Sequence, residues 1–382
     1  MRKVCLLGAS GSIGTQSLDV LRNDVRHFNL AGFSVGHQVQ KIPSILHDFP
    51  SVKFICVQEE KDYERYSRSY PNLHWFHGEE GLLCLIRECG CDMVVNALVG
   101  FAGLAPSLCS LEENKILCLA NKESLVVGGD LIRNLVIQGN GKIYPIDSEH
   151  VAIAKLLSRV RREDVDEIWI TGSGGSFRNK KRKELTDVTP EEALHHPTWN
   201  MGAKITIDSA TMMNKGFEVL EAKVLFDFPL EKTKIVLHDE SHVHSLLRLK
   251  DGTLLADVSK PDMHGPIAYA LYESNVNFSL EHVSSLEELR PYHFHPFDAE
   301  RYPAPGIALK AFEKGGTSRA VLNGANEAAV YAFLAHRIPF LSIEKLVEQA
   351  VDVLPCTAHP TYLEMQEADK ATRAFVEQQI GG

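Results

Sequence analysis

The sequence predicts an α/β protein with three parts: an N-terminal Rossmann-like doubly wound parallel sheet, a central α+β domain and a C-terminal helical bundle. Over the first ~150 residues, strand-like apolar runs ("VCLLG", "LAGFSVG", "FICVQ", "DMVVNALVG", "KILCLA") alternate at short spacing with helical patterns such as "TQSLDVLRN" and "GLLCLIREC", as in a parallel sheet wrapped by helices. The pattern then changes to "DEIWITGSG", "KIVLH", "HSLLRL" and "TLLADV", the last two joined by the hairpin signal "KDGT". A stretch rich in Pro and aromatics, "RPYHFHPFDAERYPAPG" at 290–306, reads as a surface linker with no regular helix. Beyond it, "IALKAFEKG", "SRAVLNGANEAAVYAFLAH", "SIEKLVEQAVDVL" and "YLEMQEADKATRAFVEQQ" place apolar residues at helical spacing, which predicts a small bundle.

The 382 residues exceed one ordinary core, and 44% hydrophobic with 24% charged residues is a globular composition. A net charge of −10 opposes nucleic acid or an acidic membrane as partner, and "RNKKRK" at 178–183 reads as a solvated run within that acidic total. No apolar run approaches the ~20 residues of a membrane span. The eight cysteines form no zinc-type CxxC pairs and several sit in strand-like runs, so a reducing cytoplasm is expected. "CGC" at 89–91 lacks further ligands at metal spacing. With a strand and turn beginning at once in "KVCLLGASGSIG", no leader is expected.

"GASGSIG" at 8–14 joins the first strand to the first helix, where glycine-turn amides and a helix N-terminus face a pyrophosphate. An NAD site would place a carboxylate at the end of strand two; here "FSVGHQVQK" has none, and Ser34, His37 and Lys41 favour NADP(H). "NALVGFAGL" (96–104) and "LANKESLV" (119–126) end two further strands, the second delivering Asn121, Lys122 and Glu123, with Asn121 also suited to cap a helix.

In "YPIDSEHVAIAK" (144–155), Asp147 and Glu149 stand at a strand end, either as first-turn acids of a helix or as half of a cation site. "KITIDSATMMNKGFEVLEAK" (204–223) supplies Asp208, Ser209, Asn214, Lys215, Glu218 and Glu221; Lys215 and Glu218 share a helical face, a cation for phosphate beside a carboxylate for a metal. Between them "WITGSGGSF" offers amides with Ser173 and Ser176 to a phosphate, and "HHPTWNMG" (195–202) reads as a lid. In "HDESHVH", His242 and His244 alternate along a strand, a pattern more often structural than zinc-binding.

Taken together, "GASGSIGTQSLDVL", "LANKESLV", "PIDSEH", "TGSGGSF", "HPTWNMG", "DSATMMNKGFEVLEA", "DGT" with "KPDM", and "LNGANE" resemble the 1-deoxy-D-xylulose 5-phosphate reductoisomerase family, in family order from residue 4 to about 335. The resemblance implies a homodimer with an NADPH-binding domain (1–148), a catalytic and dimerisation domain (149–288), a linker (289–306) and a four-helix bundle (307–382). It implies NADPH- and metal-dependent rearrangement and reduction of 1-deoxy-D-xylulose 5-phosphate to 2-C-methyl-D-erythritol 4-phosphate, in the non-mevalonate isoprenoid pathway. Asp147, Glu149 and Glu218 would hold Mg²⁺ or Mn²⁺, with Lys122 and His150 beside them as catalytic residues. Ser148, Ser173, His196, Ser209, Asn214 and Lys215 would bind substrate together with Lys122, Glu149 and Glu218, while Trp199 and Met201 would cover it. Ser10, Gly11, Ser12, Ile13, Gly36, His37, Gln38, Asn121, Glu123 and Gly202 would contact the cofactor. The chain carries "GAS" where the family more often has "GST", "GHQ" for "GKN" or "GRN", "HDES" for "HPQS", and "PDMHGP" where Arg often follows Met. Two other readings remain at this level: a related NADP-dependent reductoisomerase on another phosphorylated sugar, and a nucleotide-binding regulator without catalysis.

Overall fold

A computed structural model describes residues 1–275 and 291–381. The chain forms two compact units.

The first unit comprises Met1–Ser124, Asp130–Asp147 and the segment from Asp262. Its strands are β1 (Arg2–Leu7), β2 (Phe28–Ser34), β3 (Phe54–Val57), β4 (His74–His77), β5 (Met93–Asn96), β6 (Ile116–Leu119) and β7 (Lys142–Pro145). They alternate with α1 (Ser12–Asn23), α2 (Ile42–Asp48), α3 (Glu60–Ser69), α4 (Gly78–Glu88), α5 (Leu104–Glu112) and α6 (Lys122–Ile137). All seven strands pair in parallel in the order β4-β3-β2-β1-β5-β6-β7. The order reverses between β1 and β5, and the crevice beyond their carboxyl ends is where a doubly wound sheet binds its ligand. Buried runs such as Val4–Leu7 and Met93–Asn96 explain why these strands read as continuous apolar stretches, since helices cover both faces.

The second unit contains Leu125–Gly129, Ser148–Pro261 and the described residues from Pro291 onward. It opens with α7 (Ser148–Leu157), β8 (Val165–Gly172), the one-turn α8 (Pro190–Ala193), α9 (Ala203–Thr211) and α10 (Met213–Phe226). Strands β9 (Thr233–His238), β10 (Val243–Leu249) and β11 (Leu254–Val258) follow. The next helix, α11 (His264–Leu271), belongs to the first unit, where its Ile267, Ala268 and Leu271 enter the core shared with Leu18 and Leu21 of α1. After β12 (Phe294–Pro296) come α12 (Ala304–Lys314), α13 (Ser318–Leu334), α14 (Ser342–Val353) and α15 (Tyr362–Gly381), the four C-terminal helices.

The second sheet has the order β11-β10-β8-β9-β12, antiparallel except for the β8–β9 pair. Helix α10 connects it to the C-terminal helices through one core that contains Phe217, Phe333 and Phe340. Gly216 makes the approach between α10 and α12 close: a Cβ there would lie 2.9 Å from the Ala308 Cβ and 3.0 Å from the Pro305 Cα. The expected 289–306 linker is corrected in two places. Phe294–Pro296 pair with β9, and α12 starts at Ala304, because Pro305 lies in the first helical turn, where a missing N–H breaks no helical bond. The boundary at 288 lies outside the described residues. Among the described residues no helix is long and apolar enough to cross a membrane.

Candidate active site

In the first unit the glycine turn follows β1 directly. Gly8 has φ +82°, a region that suits glycine, and a Cβ on it would lie 2.7 Å from the Ala97 carbonyl oxygen at the end of β5. Gly14 packs tighter still, its notional Cβ 2.1 Å from the Gly8 oxygen. The turn is thereby pressed against the sheet's switch point, and α1 begins at Ser12 without a capping side chain or first-turn acid. Ser10, Gly11, Ser12 and Ile13 line this helix start, where backbone amides and the positive end of the helix dipole suit a phosphate. The end of β2 is stapled to the same turn: Ser34 Oγ accepts from the Gly8 N–H (3.0 Å), Ser10 Oγ donates to the Val35 carbonyl (2.9 Å) and Lys41 Nζ to the Ser10 carbonyl (2.8 Å). Lys41 therefore supports the turn from behind. Gly36, with φ +52°, turns the chain so that His37 and Gln38 are exposed.

Asn121 takes the capping role that the sequence left open. Its Oδ1 accepts the Ser124 N–H at 3.0 Å, and its Nδ2 donates to the carbonyls of Leu98 and Gly100, each at 3.0 Å. Only 1% exposed, it ties the loop after β5 to the loop after β6. Its Nδ2 also reaches Glu123 Oε2 at 3.2 Å. Lys122, the first residue of α6, forms a buried ion pair with Asp147, which follows β7.

In the second unit, Ser148 and Glu149 open α7, and the Ser148 hydroxyl donates to Glu149 Oε2 at 2.6 Å. Opposite them α9 and α10 are one helical path broken at Met212, which holds a left-handed backbone (φ +63°) as C-cap of one helix and N-cap of the other. That conformation is uncommon for a side chain of this size and costs of order 1 kcal/mol or more. The break places Ser209 at one end and Asn214, Lys215 and Glu218 at the other. Lys215 is the hub: its ammonium bonds Glu149 Oε1 and also Glu218 Oε2, the latter at 2.7 Å. Asn214 Nδ2 donates to the other oxygen of Glu218. Two carboxylates from separate helices thus converge on one cation in a nearly dry setting, with Glu218 and Lys215 exposed by 1% and 6%.

His150 lies beneath this cluster and is fully buried, its Nε2 donating to the Glu218 carbonyl at 2.9 Å and its Nδ1 3.3 Å from Glu221. It acts as a strut between α7 and α10, and the Ser245 hydroxyl supports the same end of α7 by donating to the Glu149 carbonyl (3.1 Å).

Next to Lys215, Ser173, His196 and Ser209 form a polar triad. His196 Nδ1 accepts the N–H groups of Trp199 (3.0 Å) and Thr198 (3.3 Å). In the neutral ring the proton must therefore sit on Nε2, from which it faces Ser173 Oγ (3.0 Å) and Ser209 Oγ (3.2 Å). Both serine hydroxyls then keep their own protons for an anion. Burial, together with the charges of Arg178 and Lys215, pushes the His196 pKa down to about 4. Gly175 (φ +72°) brings this loop onto α9, its notional Cβ 2.5 Å from the Ser209 oxygen, and its N–H bonds Ser173 Oγ at 3.2 Å.

The depressed His196 value fixes a pH dependence. Below about pH 6.5 the unfolded chain binds a proton at this site that the folded chain refuses until about pH 4, so the contribution to stability is lost as pH falls through that window. Replacing His196 by Asn should shrink the loss of stability on acidification from about pH 7 to about pH 5, read as urea midpoints of the two proteins. An equal loss in both would contradict this assignment.

Residues 194–202 lack regular structure between α8 and α9 and carry Trp199, whose ring lies 6.2 Å from that of His244, and Thr198, whose hydroxyl meets Ser241 Oγ at 3.1 Å. Met201 is half-buried and Gly202 exposed in the same segment. His242 precedes β10 and faces Tyr292 (5.9 Å between rings), so His242 and His244 serve different neighbours. Sequence reasoning missed a support beneath Ser209: Asn326 of α13 donates to Asp208 Oδ1 at 2.8 Å, and Lys204 pairs with Asp208 at 2.8 Å. The signal was present as a Lys–Asp pair at helical spacing and in the second Asn of "LNGANE".

Family profiles for 1-deoxy-D-xylulose 5-phosphate reductoisomerase match residues 4–129, and profiles for its C-terminal domains match residues 143–226 and 258–375. A protein of that name from Bacillus cereus (strain AH187) is 44% identical over 381 residues, covering 100% of both chains; one from Geobacillus kaustophilus is 45% identical, covering 98% of this chain and 99% of the relative. The Zymomonas mobilis reductoisomerase solved with NADPH superposes with a TM-score of 0.90 at 34% identity, over 99% of each chain. A reductoisomerase solved with NADPH, fosmidomycin and magnesium gives 0.92 at 33% identity, over 100% of this chain and 98% of that one. Matches of this extent, on a chain whose glycine turn, twin carboxylates and serine–histidine triad stand as described, show that it belongs to the 1-deoxy-D-xylulose 5-phosphate reductoisomerase family.

Proposed function

We propose that the chain converts 1-deoxy-D-xylulose 5-phosphate and NADPH to 2-C-methyl-D-erythritol 4-phosphate, with Asp147, Glu149 and Glu218 holding Mg²⁺ or Mn²⁺. The observation that carries this reading is the convergence of Glu149 and Glu218 on one ammonium, beside a neutral histidine flanked by two serine hydroxyls. Carboxylate oxygens are the donors a hard divalent cation prefers, and Asp147 is two residues from Glu149 in sequence. The glycine turn fits the nucleotide: its open helix start accepts phosphate, and its packing leaves no room for a larger residue at Gly8 or Gly14.

When bound, the divalent ion stabilises oxyanion charge during carbon-skeleton rearrangement and NADPH supplies the hydride that reduces the resulting aldehyde. The chain's own residues do the positioning. The Ser173 and Ser209 hydroxyls donate to the substrate phosphate while His196 Nε2 holds both serine oxygens in place, and Lys215 and Asn214 orient Glu218 from both of its oxygens. Ser148 contacts the substrate backbone, and Lys122 balances the charge of Asp147. Trp199 and Met201 close over the substrate and exclude water. Asn121 and Glu123 shape the loop against which the nicotinamide lies, and Gly202 contacts the cofactor from the lid. The carboxylate set and phosphate triad disfavour a regulator without catalysis. Steady-state NADPH oxidation with 1-deoxy-D-xylulose 5-phosphate and Mg²⁺ tests the reading.

Eight unpaired cysteines support residence in a reducing cytoplasm. We also propose a homodimer, supported by β11, an edge strand that exposes Leu254 (49%) and Val258 (42%). Light scattering should give twice the 42.5 kDa chain mass, and a monomer at micromolar concentration would contradict it.

A further inference from the structure

The end of β2 is the place where a dinucleotide fold reads the adenosine ribose, and its own sequence there carries no acid. The structure supplies one from the neighbouring strand. Residues after β3 run beside the Gly36 turn, joined to it by the Gln58 N–H on the Gly36 carbonyl (3.4 Å), and Glu59 Oε1 comes to 3.5 Å from His37 Nδ1. Both side chains face water, at 73% exposure for His37 and 43% for Glu59. Lys41, the other cation of this corner, directs its ammonium to the Ser10 carbonyl inside the turn. The ribose end therefore presents an exposed imidazole and an exposed carboxylate 3.5 Å apart.

We propose that Glu59 is a specificity-determining residue that lowers the preference of this chain for NADPH over NADH. Two physical effects act in the same direction. A carboxylate repels a 2′-phosphate and draws off the imidazole that would otherwise donate to it. The same carboxylate offers an acceptor to the 2′-hydroxyl of NADH, the role filled in NAD sites by an acid on strand two itself. An Arg at position 37 would override the carboxylate with a permanent charge and a fork of donors; a histidine in contact with Glu59 does not. The proposal rests on the reading of the first unit as the nucleotide-binding unit.

Titrating NADPH and NADH separately into the full chain, followed by nucleotide fluorescence, tests it without need of substrate. Glu59→Gln should raise the ratio of NADPH to NADH affinity by about tenfold, through tighter NADPH and weaker NADH binding. Glu60→Gln, which removes the adjacent acid in the first turn of α3, should leave the ratio within about twofold. An unchanged ratio in the Glu59 variant overturns the proposal while the nucleotide reading stands. An equal rise in both variants also overturns it, because the cause would then be the general field of the α3 acids. Binding of neither nucleotide by the unsubstituted chain overturns the nucleotide reading itself.

Discussion

Glu218→Gln is expected to lower kcat/KM for 1-deoxy-D-xylulose 5-phosphate by about 10²–10³-fold or more, while NADPH affinity stays within about twofold of the unsubstituted protein. The substitution keeps size and shape but removes the negative charge. In the folded chain both oxygens of Glu218 are held, one by Asn214 and one by Lys215 at 2.7 Å. It is 1% exposed, and a neutral amide there meets the Lys215 ammonium without offsetting its charge. NADPH binding is spared because the glycine turn and the end of β2 lie in a separate compact unit. Stopped-turnover fluorescence for the nucleotide and steady-state kinetics for the substrate give the two readouts. Loss of both together would mean that Glu218 maintains the fold rather than the chemistry.

Chelation carries the other large effect. Stripping divalent ions from the purified protein should reduce turnover to background, and Mg²⁺ or Mn²⁺ should restore it. Glu149 and Glu218 both bond the Lys215 ammonium. That ammonium makes the cluster electrically tolerable in a site of low exposure but offers no Lewis acidity to a substrate oxygen. A single-turnover experiment that retained full rate in excess chelator would contradict the assignment of these carboxylates.

Much of this arrangement can be read from the chain because its cues are local. The parallel sheet follows from buried apolar strands alternating with helical patterns, and the glycine turn from its place between β1 and α1. The neighbourhood of Lys215 and Glu218 follows from their spacing on one helix, and the 2.7 Å contact bears it out. What the sequence hides are contacts made across long separations and conformations that residue type does not announce. Helix α11 carries an ordinary apolar pattern, and nothing in "HGPIAYAL" says that it packs on α1 rather than on the strands that precede it. The break at Met212 is equally silent, since methionine is no turn residue; its left-handed backbone is imposed by the packing of α9 and α10. Asn121 shows a third limit: one pattern serves both capping and ligand contact, and only the bonds to Leu98, Gly100 and Ser124 show the cap in place. Glu59 shows a fourth, because a search for an acid at the end of β2 looks along one strand while the carboxylate arrives from the next.

NADPH oxidation by the purified chain, followed with substrate and metal each present or withheld, tests the central claim most directly. Oxidation should occur only when 1-deoxy-D-xylulose 5-phosphate and Mg²⁺ or Mn²⁺ are both present, with 2-C-methyl-D-erythritol 4-phosphate formed in equal amount. No oxidation with both present, or the same rate when the sugar phosphate is withheld, would contradict the account.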